Sequence, residues 1–403
     1  MSTGRRITLL VAIVLLVFLA WRFIRPMNIF VVEDRFAWPV DTSAVPAVLG
    51  DLRAAQCGAC HQEFYKEWQT TIHSQAWTDP YFQADWQFDD RQHICRLCHT
   101  PLDRQQPHKV LDYRDRAKWQ PIMEDNPDFD AQLQHEGVTC AACHFRDGRI
   151  VGVLGDTDAP HPVKQLTSAN EVCVRCHVVN GDSWDTFFRF PPCGTVAEIR
   201  ETAGSEPVSG ELSVTDIAAL GCVDCHMPAV ERPLVAGGPV RKARRHLWRG
   251  GHDPAMVKKA LTVEFVERTL SNTEMRTFVL NIANTGAAHY VPTGTPDRHF
   301  SIQLRAVSAL GETIEEEDIL LKRHVMWRPF IVDLWDTRLP RGEQRSYTLA
   351  VPRDSGAMAV EAVVRYHLLD ESRRQRIGYE NTTPIAYEVF RRRITLSAGG
   401  GGQ

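Results

Sequence analysis

The chain has almost no excess of charge. Its 403 residues carry 46 Lys and Arg against 50 Asp and Glu, a formal net charge of −4. So even a balance gives no electrostatic footprint for a nucleic-acid partner, and none is expected. Methionine is scarce, with eight in all, and cysteine is absent after Cys225. The last 150 or more residues therefore hold neither thiol chemistry nor a disulfide framework.

Upstream of that point cysteine follows a strict pattern. Ten of the eleven cysteines lie in five copies of Cys-x-x-Cys-His: Cys57-Cys60-His61, Cys95-Cys98-His99, Cys140-Cys143-His144, Cys173-Cys176-His177 and Cys222-Cys225-His226. This spacing reads as attachment of c-type haem, with two thioether bonds to the vinyl groups and the adjacent imidazole on the iron. Five covalently bound haem c are expected. Disulfides give no reason for a His after every second Cys. Structural zinc pairs Cys with a second Cys pair or a distant His pair. A thioredoxin-like pair comes once, near a βαβ pattern. The gaps between motifs are 33, 40, 28 and 44 residues, too unequal for a solenoid. Cys193 is left over and reads as a small buried residue rather than a redox-active thiol.

Haem also alters the charge. Two propionates make each bis-His ferric haem about −1, so the loaded protein is more acidic than its sequence. Arg241-Lys242-Ala243-Arg244-Arg245 is a candidate propionate partner or, equally, a solvated basic loop.

Residues 7–21, ITLLVAIVLLVFLAW, are apolar throughout and flanked by Arg5, Arg6, Arg22 and Arg25. Ile7 to Ile24 just crosses a bilayer if Arg22 snorkels. A cut after Ala20 would place Phe18 at the −3 position, a poor cleavage site, so an uncleaved anchor is favoured over a signal peptide. Covalent haem attachment in bacteria takes place outside the cytoplasmic membrane. The expected location is the bacterial inner membrane, with a single N-terminal anchor and the bulk in the periplasm.

The organisation read from the pattern is α + β and multidomain. An N-terminal transmembrane helix (1–25) and an irregular linker (26–50) with Pro26, Pro39 and Pro46 lead to a mainly α/loop pentahaem domain (51–257). From 258 the apolar residues alternate: Leu261-Val263-Phe265, Phe278-Leu280-Ile282, Ile302-Leu304-Ala306, Tyr347-Leu349-Val351, Val360-Ala362-Val364-Tyr366, and Ile385 to Leu396. Around seven strands over 258–396 suggest an immunoglobulin-like β-sandwich. Residues 397–403 read as a flexible Gly-rich tail.

Eleven of the sixteen histidines lie outside the motifs and supply candidate sixth ligands. Phe64, Trp68 and Ile72 at i, i+4, i+8 predict a helix over 61–73. Along such a helix His61 and His73 stand ~18 Å apart, whereas two ligands of one iron lie only ~4 Å apart. His73 is thus expected to cap a different haem. The other candidates are His93, His108, His135, His161, His246 and His252. Mostly bis-His ligation is expected; Met would raise the potential, but Met227 is badly placed for the haem of His226.

Cys57-Gly58-Ala59-Cys60-His61 with Tyr65, Trp68 and His73, the segment Glu136-Gly137-Val138-Thr139 before Cys140, and Cys222-Val223-Asp224-Cys225-His226-Met227-Pro228 together resemble multihaem cytochromes related to the tetrahaem electron acceptor of hydroxylamine oxidoreductase. Asn284-Thr285-Gly286-Ala287-Ala288-His289-Tyr290-Val291-Pro292-Thr293-Gly294 is similar to a Gly-His-x-x-Pro-Thr-Gly signature of appended β-domains, with Ala288 in place of the usual Gly. The resemblance covers roughly 55–300. It implies closely stacked haem pairs and His73, His161 and His252 as distal ligands. His289 reads as a structural residue at a strand end, with ligation from the sandwich as the alternative.

Two functions follow. One is an electron carrier that serves redox partner proteins, a membrane complex or the quinol pool. The other is a reductase or oxidase of a small nitrogen or sulfur compound at one open-coordinate haem. Related enzymes mark such a haem with Lys in place of the motif His or with a cross-linking Tyr; all five motifs here end in His, which favours the carrier. In a third reading the β-domain docks a partner subunit.

Overall fold

A computed structural model describes residues 2–24, 32–155, 158–177, 186–187, 193–204, 212–268, 274–326 and 331–396. The expected Gly-rich tail lies outside these residues. The apolar N-terminal run forms one helix, Thr3–Ile24, of 22 residues. At ~1.5 Å per residue it is ~33 Å long, enough for the ~30 Å hydrocarbon core of a bilayer. Leu10 and Leu16 on this helix are exposed.

The segment expected to be a linker is irregular but not loose. Val32, Ala37, Val40 and Leu49 are buried, and Val40 bridges Leu102. The Thr42 amide donates to the Asp103 carboxylate at 2.9 Å.

The motif-bearing half is built of short helices and short strands. Each motif lies in or beside a short helix: Cys140–His144 and Cys222–His226 hold whole motifs, Arg96–His99 and Val174–His177 begin just after the first Cys, and Ala54–Gly58 carries Cys57, with the turn closed by the His61 amide donating to Cys57 O at 2.9 Å. The physical reason is spacing: residues i, i+3 and i+4 share one face of a helical turn, so both thiols and the imidazole point one way. Between the motifs and after the last of them lie strand pairs that the apolar pattern did not announce. His108–Tyr113 pairs with Pro121–Asp125, and Ala229–Pro233 with Val240–Arg244; Phe145–Arg146, Arg149–Gly152 and Val163–Gln165 make a third sheet. The two hairpins are short and carry no buried residue, so no buried face imposes apolar alternation on them. The apolar packing here is divided among small clusters, one around Leu102, Leu133 and Phe145, another around Val174, Val196 and Ile217.

The C-terminal half has seven principal strands: β1 Leu261–Arg268, β2 Met275–Asn284, β3 His299–Val307, β4 Thr313–Leu321, β5 Gln344–Pro352, β6 Ala359–His367 and β7 Ala386–Thr395. They form two antiparallel sheets, ordered β5-β2-β1 and β4-β3-β6-β7. One hydrophobic core joins them: Phe265, Phe278 and Leu280 from the first meet Phe300, Ile302, Leu304, Val360 and Val364 from the second. The expected runs all fall on strands. β4 escaped prediction because it is an edge strand carrying Glu315, Glu316, Glu317 and Asp318; an edge is safer charged than apolar.

The halves are joined by many contacts. Arg373 holds the carboxylates of Asp85 and Asp89. Tyr387 Oη donates to Gly251 O at 2.6 Å. The helix Thr195–Thr202 lies against the loop after β2: Tyr290 Oη donates to Glu201 at 2.6 Å, and Thr202 Oγ1 to Ala288 O at 3.0 Å. Strand Ile331–Asp336 pairs in parallel with Thr186–Phe187, crossing between the halves.

Candidate haem-binding cavity

All fifteen Cys and His of the five motifs line one continuous cavity of about 2780 Å³. A pocket for one small ligand is ordinarily ~300–1,000 Å³. Divided by five, the volume gives about 560 Å³ per motif, room for one flat macrocycle each. The donor set also fits haem: ten thiols without a disulfide among them, each pair followed by an imidazole. Thiols of different motifs lie within hydrogen-bond reach of one another, Cys57 with Cys140, Cys98 with Cys176, and Cys173 with Cys222. Groups attached there would be close neighbours.

The rings of four of the five motif histidines are oriented by backbone. Nδ1 of His61 lies 2.9 Å from Leu234 O, that of His99 2.6 Å from Ala76 O, that of His144 2.8 Å from Val151 O, and that of His226 2.7 Å from Arg249 O. A carbonyl only accepts, so each Nδ1 carries the proton and each Nε2 presents a lone pair. This is the outer-shell bond usual for a metal-ligating His. It also explains the unexpected strands: Leu234 sits in the turn of one hairpin and Val151 in a strand beside the third motif.

Two non-motif histidines in the cavity wall make the same bond, His246 to Arg244 O at 3.0 Å and His289 to Tyr290 O at 2.7 Å. His299 makes it as well, to Asp297 O, yet does not line the cavity. The bond alone therefore does not define a ligand; the bond and the position together do.

Spacing separates the candidates further. Two imidazoles bound ~2 Å from one iron on opposite faces have ring centres ~6 Å apart. His61 and His161 are 6.5 Å apart with planes at 50°, His144 and His246 5.9 Å at 25°, and His226 and His289 6.4 Å at 15°. No imidazole stands at this spacing from His99 or His177 among the described residues. His73 and His252 line the cavity. His73 is buried and stacks edge-on to Trp248 at 5.1 Å.

The predicted helix over 61–73 stops at Trp68, and the chain turns before His73. The ~18 Å separation inferred from an unbroken helix therefore does not apply. Three candidates fall outside the cavity wall. His135 is exposed at the end of helix Ala131–His135. His93 is buried with Nε2 unpartnered and does not line the cavity. His108 is also outside, 3.2 Å from the Asp125 carboxylate. Sequence reasoning gave His289 the weaker role, because the alternating pattern marked it as a strand-end residue. The signal that singles it out is the Asn284 to Gly294 segment, which is not needed to continue a strand.

Burial lowers several of these imidazoles, His99, His246 and His252 to about 4 and His73 to about 3, so they are neutral at pH 7. Only a neutral imidazole donates its lone pair. Glu67 organises one wall: it accepts from Arg232 at 2.8 Å, from Arg245 at 2.8 Å and from the His246 amide at 2.8 Å. Burial acts to raise its pKa, but Arg232, the His246 amide and Arg245 outweigh it and hold Glu67 at about 2. Of the basic run, Arg241 and Lys242 line the cavity, and Arg244 is tied to Asp224 at 2.6 Å.

The fold is that of a multihaem cytochrome c. Over 85% of this chain and 98% of the other, it superposes on a penta-haem cytochrome c552 from Thermochromatium tepidum, with a TM-score of 0.61 and 19% identity. An ApaA protein from Bordetella pertussis (34% of this chain, 94% of that chain, TM-score 0.19, 15% identity) and β-glucosidase 3B from Thermotoga neapolitana (34% and 17%, TM-score 0.13, 13% identity) align only in part. No family model matches the sequence, and no curated protein matches it.

Proposed function

We propose that this chain is a membrane-anchored pentahaem c-type cytochrome that passes electrons between redox partners on the periplasmic side of the bacterial inner membrane. The observation that carries the reading is the convergence of all five motifs on one cavity large enough for five haems. Bound haem supplies the one-electron chemistry. The ten motif cysteines hold it, His61, His99, His144, His177 and His226 ligate from one side, and His161 and His246 cap the first and third haems. His73 and His252 are the cavity-lining candidates for the second and fourth. Cavity-lining Arg241 and Lys242 neutralise propionates. The helix Thr3–Ile24 anchors the chain, and the two sheets with a shared core support an immunoglobulin-like sandwich. A redox titration of the membrane-bound protein tests the reading. Five one-electron steps with reduction by membrane quinol or a partner complex are expected; a protein that takes up no electrons refutes it.

A reductase or oxidase of a small nitrogen or sulfur compound is the second reading. It is favoured by the polar wall beside the second motif. Asp85, Asp89, Cys193 and Arg298 line the cavity. Rapid cyanide or nitric oxide binding to one ferric haem would support it.

A further inference from the structure

We propose that His289, carried by the β-domain, is the sixth ligand of the haem attached at Cys222 and Cys225, so that the C-terminal domain completes a redox centre of the motif-bearing half. The inference rests on the pentahaem reading and adds to it a ligand from outside the motif domain.

The two rings already stand as a ligand pair would. Their centres are 6.4 Å apart and their planes differ by 15°, against ~6 Å for two imidazoles sharing an iron. Both rings are fixed from behind: Nδ1 of His226 donates to Arg249 O at 2.7 Å, and Nδ1 of His289 donates to Tyr290 O at 2.7 Å. Each Nδ1 is thereby committed to a carbonyl, which leaves each Nε2 lone pair free for a metal.

The loop that carries His289 is built to hold that position. Asn284 Nδ2 donates to His289 O at 2.9 Å and to Leu339 O at 3.1 Å, while Asn284 Oδ1 accepts from the Ala287 amide at 3.0 Å. Gly286 passes so close to the helix Pro254–Ala260 that a Cβ there would lie 2.1 Å from Lys259 O. Ala288, where the resembling signature has Gly, does not adopt a positive φ, so its methyl is no obstacle. On the far side Tyr290 is tied to Glu201, and the Arg338 guanidinium lies 5.1 Å over its ring. Arg338 also pairs with Glu198 on the same helix as Glu201. A loop serving only to connect β2 with β3 needs none of these clamps onto the other half. A sixth ligand does, because a metal bond tolerates little displacement.

The test is His289→Ala in the full membrane-bound protein, read by haem count and by electron paramagnetic resonance of the ferric state. The expected result is an unchanged count of five haems, one fewer low-spin centre, one new high-spin centre, and recovery of the low-spin signal on adding imidazole. His289→Met keeps a ligand and fills the space, and is expected to raise the potential of one haem without creating a high-spin centre. A His289→Ala protein with five haems and an unaltered low-spin signal overturns the proposal, as does a His289→Met protein with all potentials unchanged should the Ala variant not accumulate. A wild-type protein with no covalent haem would instead refute the pentahaem reading itself, so the two failures are distinguishable.

Discussion

The two halves of this molecule are held together by different materials. The C-terminal half has a single core in which Phe265, Phe278, Phe300, Ile302, Leu304 and Val364 from two sheets interlock without solvent exposure. The motif-bearing half has several small clusters around a cavity of about 2780 Å³. Protein interiors are close-packed, and a void that large leaves its lining without contacts. The difference teaches that one half specifies its fold with a side-chain core, whereas the other leaves its centre open, so on the haem reading its stability is expected to depend on the attached groups.

The largest break in this comparison is expected from the thiols. Cys140→Ala with Cys143→Ala removes one haem from the middle of the motif half. Intact mass is expected to fall by one haem, and limited proteolysis to cut residues 51–257 while sparing the strands after 258. Equal protection of both halves would contradict the contrast.

Next comes the side-chain core. Phe300→Ala creates a cavity in a site with no exposure and is expected to cost about 3–5 kcal/mol. Thermal unfolding followed by far-ultraviolet dichroism measures it, and the visible spectra of haems at the first and third motifs should be unaltered.

Glu67→Gln leaves Arg232 and Arg245 without their carboxylate beneath His246. A loss of about 1.5–3 kcal/mol is expected, with a disturbed signal from the third haem. The same pair sets an acid limit. Glu67 is held at about 2 in the folded chain, below its ordinary value near 4.5. Its stabilisation is therefore present above pH ~4.5 and lost as pH falls toward ~2. In an acid titration the wild type is expected to weaken across that window more than Glu67→Gln does; parallel curves would contradict it.

The smallest effect is predicted at the surface. Lys66 and Glu63 pair at 2.7 Å, with both side chains more than half exposed. Lys66→Ala should change stability by less than about 0.5 kcal/mol in chemical denaturation.

Legibility in the sequence follows the same division. In the C-terminal half a buried face repeats every second residue, so runs such as Phe278-Leu280-Ile282 state their structure directly. β4 was hidden because an edge strand does not need an apolar face. In the motif half the covalent sites are explicit, since Cys-x-x-Cys-His is a chemical requirement. Ligation from the opposite side is not explicit. It depends on which imidazole the fold carries to a given ring, and that distance has no local signature: His161 meets His61 from 100 residues downstream, and His289 meets His226 across the domain junction. The predicted helix over 61–73 failed for a related reason. Apolar spacing at Phe64, Trp68 and Ile72 records burial, but Trp68 is fixed by its Nε1 bond to Val138 O at 2.9 Å rather than by a continuing helix.

The central claim is that five porphyrins are bonded to the polypeptide and fill the space between its motifs. Intact mass spectrometry of the purified protein, with a pyridine haemochrome assay on the same sample, tests it most directly. The account predicts the mass of the chain plus five haems with no reactive motif thiol. A chain carrying alkylatable thiols at Cys57, Cys95, Cys140, Cys173 and Cys222, without a c-type spectrum, would contradict it.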